Sequence, residues 1–218
     1  MPRERKAARA KIAPPALSVV NGLAGAKVDE MVHPLNPLDR LCPWRVKEPS
    51  ADKLYGAIVA QARLPVFYQE FGVPDTLAGR FVVLSLHLFA VLHRLKAEGA
   101  KGLDLAQGLV DRFGDDMETV LRELGVSDLR IPKTMRGLAA SSAALLDGYE
   151  QALASGEGAF AATIAEALPL EEKDARAASA RLASYLRVVM EHLQAQSSAV
   201  MDSGELIFPG ASDRLDRG

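Results

Sequence analysis

From Ser50 onward, apolar residues recur at steps of three and four, and no segment alternates with period two over several residues. The densest run lies between Pro65 and Gly99, PVFYQEFGVPDTLAGRFVVLSLHLFAVLHRLKAEG. Phe67, Tyr68 and Phe71 make an aromatic turn that Gly72 closes. Asp75, after Pro74, is placed to cap a helix from Thr76 to about Ala97, its carboxylate accepting from the free amides of the first turn. Leu77, Phe81, Leu84, Leu88, Val91 and Leu95 share one face of that helix, and Val82, Val83, Leu86, Phe89, Ala90 and Leu92 fill much of the rest. A helix apolar nearly all round is a buried helix, so this one is expected to be the axle of its domain. Its uninterrupted apolar run reads as too short to span a bilayer, which takes about 20 residues.

Other helices are expected around it. Ser50 or Asp52 can cap one whose inner face is Leu54, Ile58 and Ala62, and Arg63 closes it just before Pro65. Asp104 begins another, with Leu105, Leu109, Phe113, Met117, Val120, Leu121 and Leu124 on one face and Gly125 at the C-terminal position. Pro132 fits the first turn of a helix carrying Met135, Leu138, Ser142, Leu145, Leu146, Tyr149 and Leu153 to about Ala154. After the break at Ser155–Gly158, Phe160, Ile164 and Leu168 face inward on a short helix that ends at Pro169. From near Leu170, Leu182, Leu186, Val189 and Leu193 define the last long helix, with Tyr185 and Met190 beside them. The apolar segment ELIFPG that follows is expected to pack back. The fold class is therefore all-α, an irregular bundle of about six or seven helices around a central buried helix (about 76–97).

Composition narrows the picture. The chain has 218 residues, 49% of them hydrophobic, and a formal net charge of −2. A near-neutral chain has no global pull towards nucleic acid, so no DNA partner is expected and any such contact must be a local patch. Cys42 is the single cysteine, so no internal disulfide can form. Arg3, Arg5, Lys6, Arg9 and Lys11 stand against Glu4 at the start. The following IAPPALSVVNGLAGA has the outline of a signal peptide, but Pro14, Pro15 and Asn21 interrupt it. A mitochondrial presequence is a second reading of this arginine-rich stretch, a largely disordered basic arm is the favoured one, and Met31 is an alternative start. Leu35, Leu38, Leu41 and Trp44 give the proline-punctuated connector a three-residue rhythm suited to docking on the domain. The organisation expected is an arm and connector over 1–49, a helical domain over 50–210 and a disordered tail over 211–218.

Candidate chemistry is sparse. His33, His87, His93 and His192 share no spacing that would gather them, and His33 with Cys42 supplies too few ligands for a metal. Asp111, Asp115, Asp116 and Glu118 lie on the far side of their helix. The run DDMET lacks the aligned second copy that magnesium chelation would need, so a solvated acidic face or a dock for a basic partner is expected. No Gly-x-Ser-x-Gly elbow and no phosphate-cradling glycine loop occurs, and no enzyme, cofactor or metal site is expected. Arg80, His87 and Arg94, spaced by seven on the central helix, form one polar stripe. It reads either as the line where the helix surfaces or pairs with acidic neighbours, or as a basic seam in a partner-binding groove. Arg130, Lys133 and Arg136 make a second basic patch at a helix start, where cations oppose the helix dipole. It reads either as a solubilising surface or as a contact for phosphates or acidic ribosomal loops.

The stretch from Pro65 to Gly99 also resembles the ubiquinol–cytochrome c chaperone family, which includes a mitochondrial assembly factor for cytochrome b. The residues that carry the resemblance are PVFY (Pro65–Tyr68), GVPDT (Gly72–Thr76), GRF (Gly79–Phe81), LHLF (Leu86–Phe89) and RL (Arg94–Leu95). A second block, LRELGVSDLRIPKTMRGL, follows at the expected distance, and the resemblance runs from about Asp52 to Gly210. It implies a non-catalytic chaperone that binds newly made cytochrome b and promotes assembly of ubiquinol–cytochrome c reductase. Implied partners are nascent cytochrome b, a ribosome or small helical protein, and a peripheral membrane contact. The implied place is the cytoplasm at the inner membrane, or the mitochondrial matrix in a eukaryote. The working surface expected is the Tyr68–Asp75 turn with Arg80, His87 and Arg94, with Arg130, Lys133 and Arg136 as the second patch. A helical lipid- or quinone-binding protein, which could be enzymatic, and a ribosome- or RNA-binding module stand as alternatives. The quinone reading asks for a large dry cavity with His87 at its mouth.

Overall fold

The computed structural model describes residues 49–211. The readings placed on the N-terminal arm, on the connector with Cys42 and Trp44, and on residues 212–218 lie outside them. Six helices of 11 to 25 residues and two short ones form the body. They are α1 (Pro49–Ala62), α2 (Val66–Gln69), α3 (Leu77–Lys96), α4 (Ala100–Glu123), α5 (Ile131–Ser155), α6 (Glu157–Ala167), α7 (Glu172–Ala195) and α8 (Ser198–Ser203). No strand occurs among the described residues. The protein is an all-α bundle with α3 at its centre, packed against α1, α4, α5 and α7, while α6 bridges α5 and α7.

The axle begins where two local devices meet. Thr76, not Asp75, is the N-cap: its extended backbone lets its hydroxyl oxygen accept from the Gly79 N–H at 3.2 Å. Asp75 stands one residue too early for that bond. Gly79 is required because a Cβ there would sit 2.0 Å from the Pro74 carbonyl oxygen, so any side chain would push the GVPDT turn off the helix. At the other end Gly102 plays the same part against the Leu95 carbonyl, with an equal 2.0 Å approach. That tight corner brings α4 in at Ala100, four residues before the expected start at Asp104.

Fourteen of the 20 residues of α3 are buried. Contrary to the sequence expectation, the helix is long and apolar enough to cross a bilayer. What marks it as a core helix is that 72% of that apolar window is buried inside the protein. Leu77 departs from the expected inner face: at the first turn it has no neighbour above it and is 47% exposed. Leu124, one residue past the end of α4, is likewise 51% exposed.

Two aromatic groups fill the space around the axle. Phe67, Phe71, Tyr185 and His87 stand ring against ring at 5.2 to 5.7 Å on one side. Phe89, Tyr149 and Phe160 do so at 5.5 to 6.0 Å on the other. Each edge-on pair adds about 1 kcal/mol to simple burial. The ELIFPG segment packs back as expected. Leu206 is buried, Phe208 stacks edge-on against His87 at 5.4 Å, and the Gln196 side-chain amide both donates to and accepts from the Ile207 backbone.

Candidate partner-binding site

The stripe expected on α3 does not lie on one surface. His87 is 1% exposed and belongs to a hydrogen-bonded relay. Its Nδ1 lies 2.8 Å from the Val83 carbonyl oxygen, which can only accept, so Nδ1 carries the proton. Nε2 is then an acceptor, and the Tyr185 hydroxyl donates to it at 3.0 Å. Gln61 Nε2 in turn donates to the Tyr185 oxygen at 2.9 Å. Burial, only partly offset by the Val83 bond, lowers the His87 pKa from 6.5 to about 4. The imidazole is therefore neutral at physiological pH, a core group rather than a contact.

Arg94 is 7% exposed. Its Nε donates to the Leu193 carbonyl at 2.9 Å and its Nη2 to the Gln196 carbonyl at 3.1 Å, while Nη1 pairs with Glu98. These carbonyls lie at the end of α7, where the chain itself supplies only a 3.3 Å bond from the Gln196 N–H to the Leu193 carbonyl. Arg94 is a cap delivered from a neighbouring helix, and Glu98 extends the link to Ser198 in α8. Two of the three stripe residues are thus corrected from surface to interior. The sequence spacing set their direction, and α7 with the ELIFPG segment occupies it.

Arg80 alone of the stripe stays in solvent, and it joins the other two corner residues. Its Nε meets the Asp75 carboxylate at 2.6 Å with both side chains more than half exposed. Its guanidinium lies over the half-buried Tyr68 ring at 5.6 Å, and the Tyr68 hydroxyl donates to the Ala62 carbonyl at 2.7 Å. The Arg80 hydrogen bond and charge hold the Asp75 carboxyl below its usual range. Leu64, 37% exposed, and Leu77 flank this α2–α3 corner with Arg63. Leu64 is absent from the sequence expectation, which puts Leu77 on the inner face. The available signal was position: one directly precedes Pro65, the other opens a helix, and neither place offers a second wall.

Arg130, Lys133 and Arg136 are all exposed at the start of α5, remote in sequence from the corner. The acidic face of α4 is solvated at Asp115 and partly taken up by neighbours elsewhere. Asp116 accepts from the Tyr55 hydroxyl at 2.8 Å, with Arg112 stacked on the Tyr55 ring at 5.1 Å. Glu118 pairs with Arg122, and Asp111 accepts from Gln107. No group of three metal-ligating side chains occurs among the described residues. A shallow depression of about 650 Å³ lies over Glu172, Lys173, Arg176 and Ala177 on one turn of α7. The mouth required for the quinone reading is not formed by His87, which is sealed on both nitrogens.

Comparison with known proteins agrees with this architecture. The model of the ubiquinol–cytochrome C chaperone family matches residues 69–208. A ubiquinol-cytochrome-c reductase complex assembly factor 1 from Xenopus laevis is 25% identical over 167 residues, which is 77% of this chain and 80% of that protein. The mouse protein of that name is 24% identical over an equal length, but there the match spans only 55% of it. The crystal structure of the Cbp3 homolog from Brucella abortus superimposes with a TM-score of 0.67 at 34% identity, over 76% of this chain and 92% of that one. The match runs from the α2–α3 corner through the axle and both ends of α7 to Phe208, and on that ground this chain belongs to the ubiquinol–cytochrome c chaperone family.

Proposed function

We propose that this protein is a non-catalytic assembly factor that holds newly made cytochrome b and promotes assembly of ubiquinol–cytochrome c reductase. The observation that carries the reading is the family match across residues 69–208, which spans the bundle's central elements. The working surface is the α2–α3 corner: Tyr68, Asp75 and Arg80 with Leu64 and Leu77 beside them. An unassembled membrane protein exposes apolar segments bounded by polar loops, and a surface of leucines around an oriented guanidinium suits both. The Arg80–Asp75 pair supports a contact role because an exposed, solvent-screened ion pair contributes little to folding. His87 and Arg94 serve by fixing α3 against α7. The protein works beside the membrane that holds the reductase.

A photoreactive residue placed at position 77 or 80 tests this during synthesis of cytochrome b. Cytochrome b is expected among the crosslinked products from both positions. Crosslinks only to other proteins, with cytochrome b captured from elsewhere on the chain, would move the client surface off this corner.

A further inference from the structure

The N-terminal half of α4 carries an uncovered face close to where the described residues begin. The Ala51 Cβ lies 3.1 Å from the place a Gly108 Cβ would take, Asp52 pairs with Arg112 at 3.2 Å, and the Tyr55 hydroxyl donates to Asp116. Both numberings rise together, so α1 runs parallel to α4, and Pro49 stands alongside the first turns of α4. There Leu103, Gln107, Val110 and Gly114 follow one line at steps of four, three and four. Leu103 is 56% exposed and Val110 41%. Gly102 and Gly108 are each pressed by a neighbour, but a Cβ on Gly114 would meet nothing within 4 Å among the described residues. A glycine inside a helix is unfavourable without such a close approach. Between this line and α1, by helical phase, run Asp104, Asp111 and Asp115.

Two large apolar side chains fall far short of the roughly 800 Å² per partner that a stable dimer buries. A tethered segment needs much less, because its attachment holds it at an effective concentration in the millimolar range. The segment before Pro49 has residues in the matching order: going back come Lys47 and Arg45, then Trp44 and Leu41. We propose that this connector docks on α4 of its own chain. Lys47 and Arg45 cross the acidic line, and Trp44 and Leu41 cover Leu103, Val110 and the bare Gly114. Eight residues reach at most about 28 Å, enough to pass half-way round a helix about 10 Å across. Glu48, the one acid between Trp44 and Pro49, falls at the α1 N-terminus, where the helix dipole favours it. The docking site does not depend on the client reading, since it shares no residue with the α2–α3 corner.

Trp44 is the single tryptophan, so fluorescence of the full chain reads the site directly. Its emission is expected to be blue-shifted and shielded from acrylamide at every protein concentration. Leu103→Glu with Val110→Glu should lower the ratio of docked to free connector about tenfold, moving the emission towards that of the urea-unfolded chain. Asp104→Lys with Asp115→Lys should move it the same way by less, and added salt should imitate that smaller change. Helix content by circular dichroism should be unchanged in both, these four side chains being exposed. A second measurement leaves the apolar face intact: Gln107→Cys should form an intramolecular disulfide with Cys42 under diamide, and Lys173→Cys on α7 should not. Emission of a water-exposed indole in the parent chain overturns the proposal, as does absence of the Gln107→Cys crosslink. So does shielded emission indifferent to the glutamate pair, which would seat Trp44 elsewhere. Emission that shifts with protein concentration would make the occupant a second copy and overturns it too.

Discussion

Arg80 and Arg94 stand at opposite ends of one helix, in line with each other and with His87 between them, yet they do opposite things. Arg94 points at the end of α7, where the Leu193 and Gln196 carbonyls accept from its buried guanidinium and offset its desolvation. Arg80 points past the last turn of α2 into water, held only by Asp75 and a Tyr68 ring. The difference teaches that spacing along a helix fixes a direction but not what waits there. One end of the stripe is a structural cap and the other is an ion pair in solvent.

The largest effect should come from the buried end. Arg94→Ala removes the hydrogen bonds of a buried guanidinium, leaving the Leu193 carbonyl only the Gln196 N–H and Glu98 only Ser198, and a loss of about 3 kcal/mol is expected in urea unfolding. A loss under about 1 kcal/mol would mean that water replaces the guanidinium and that the contrast with Arg80 is false. Next comes acid. His87 is held near pH 4 in the folded chain against 6.5 when unfolded, so the unfolded state takes up the proton first as pH falls. Stability from this group is complete above about pH 6.5 and is lost progressively down to about pH 4, amounting to about 3 kcal/mol. Unfolding measured across that window should be less pH-dependent in His87→Gln than in the parent. Phe67, Tyr185 and Phe208 pack on the ring and none carries a charge, so the sign stands.

A smaller effect is expected midway along the relay. Tyr185→Phe removes the donor to His87 Nε2 and the acceptor for Gln61, at a cost of about 2 kcal/mol by thermal unfolding. Arg80→Ala should be smallest, with melting almost unmoved because an exposed pair is screened by solvent, while reductase assembly falls. Arg80→Ala destabilising the chain as much as Tyr185→Phe would make the corner structural too.

Much of the fold was legible because helical apolar spacing reports burial directly. Leu54 and Ile58, Phe160 and Ile164, and Leu182 through Leu193 all face inward as their periodicity indicates. The family was legible for a different reason: short strings such as GVPDT record turns with strict local demands, here the Pro74 carbonyl resting on Gly79. The site was only partly legible. Tyr68, Asp75 and Arg80 do meet, but the relay joining Gln61, His87 and Tyr185 links residues as far as 124 positions apart, and no local pattern announces it. Nor could spacing distinguish Asp116, taken up by Tyr55, from a solvated acid. Polar residues on a mostly apolar helix are ambiguous until the facing element is known.

The most direct test is capture of newly made cytochrome b by the double variant Leu77→Glu, Arg80→Glu, beside unfolding of the same protein. The expected result is a chain that melts within a few degrees of the parent but no longer retains cytochrome b. Capture at the parental level, or a loss that appears only together with a collapse in melting temperature, would contradict the assignment of that corner to the client.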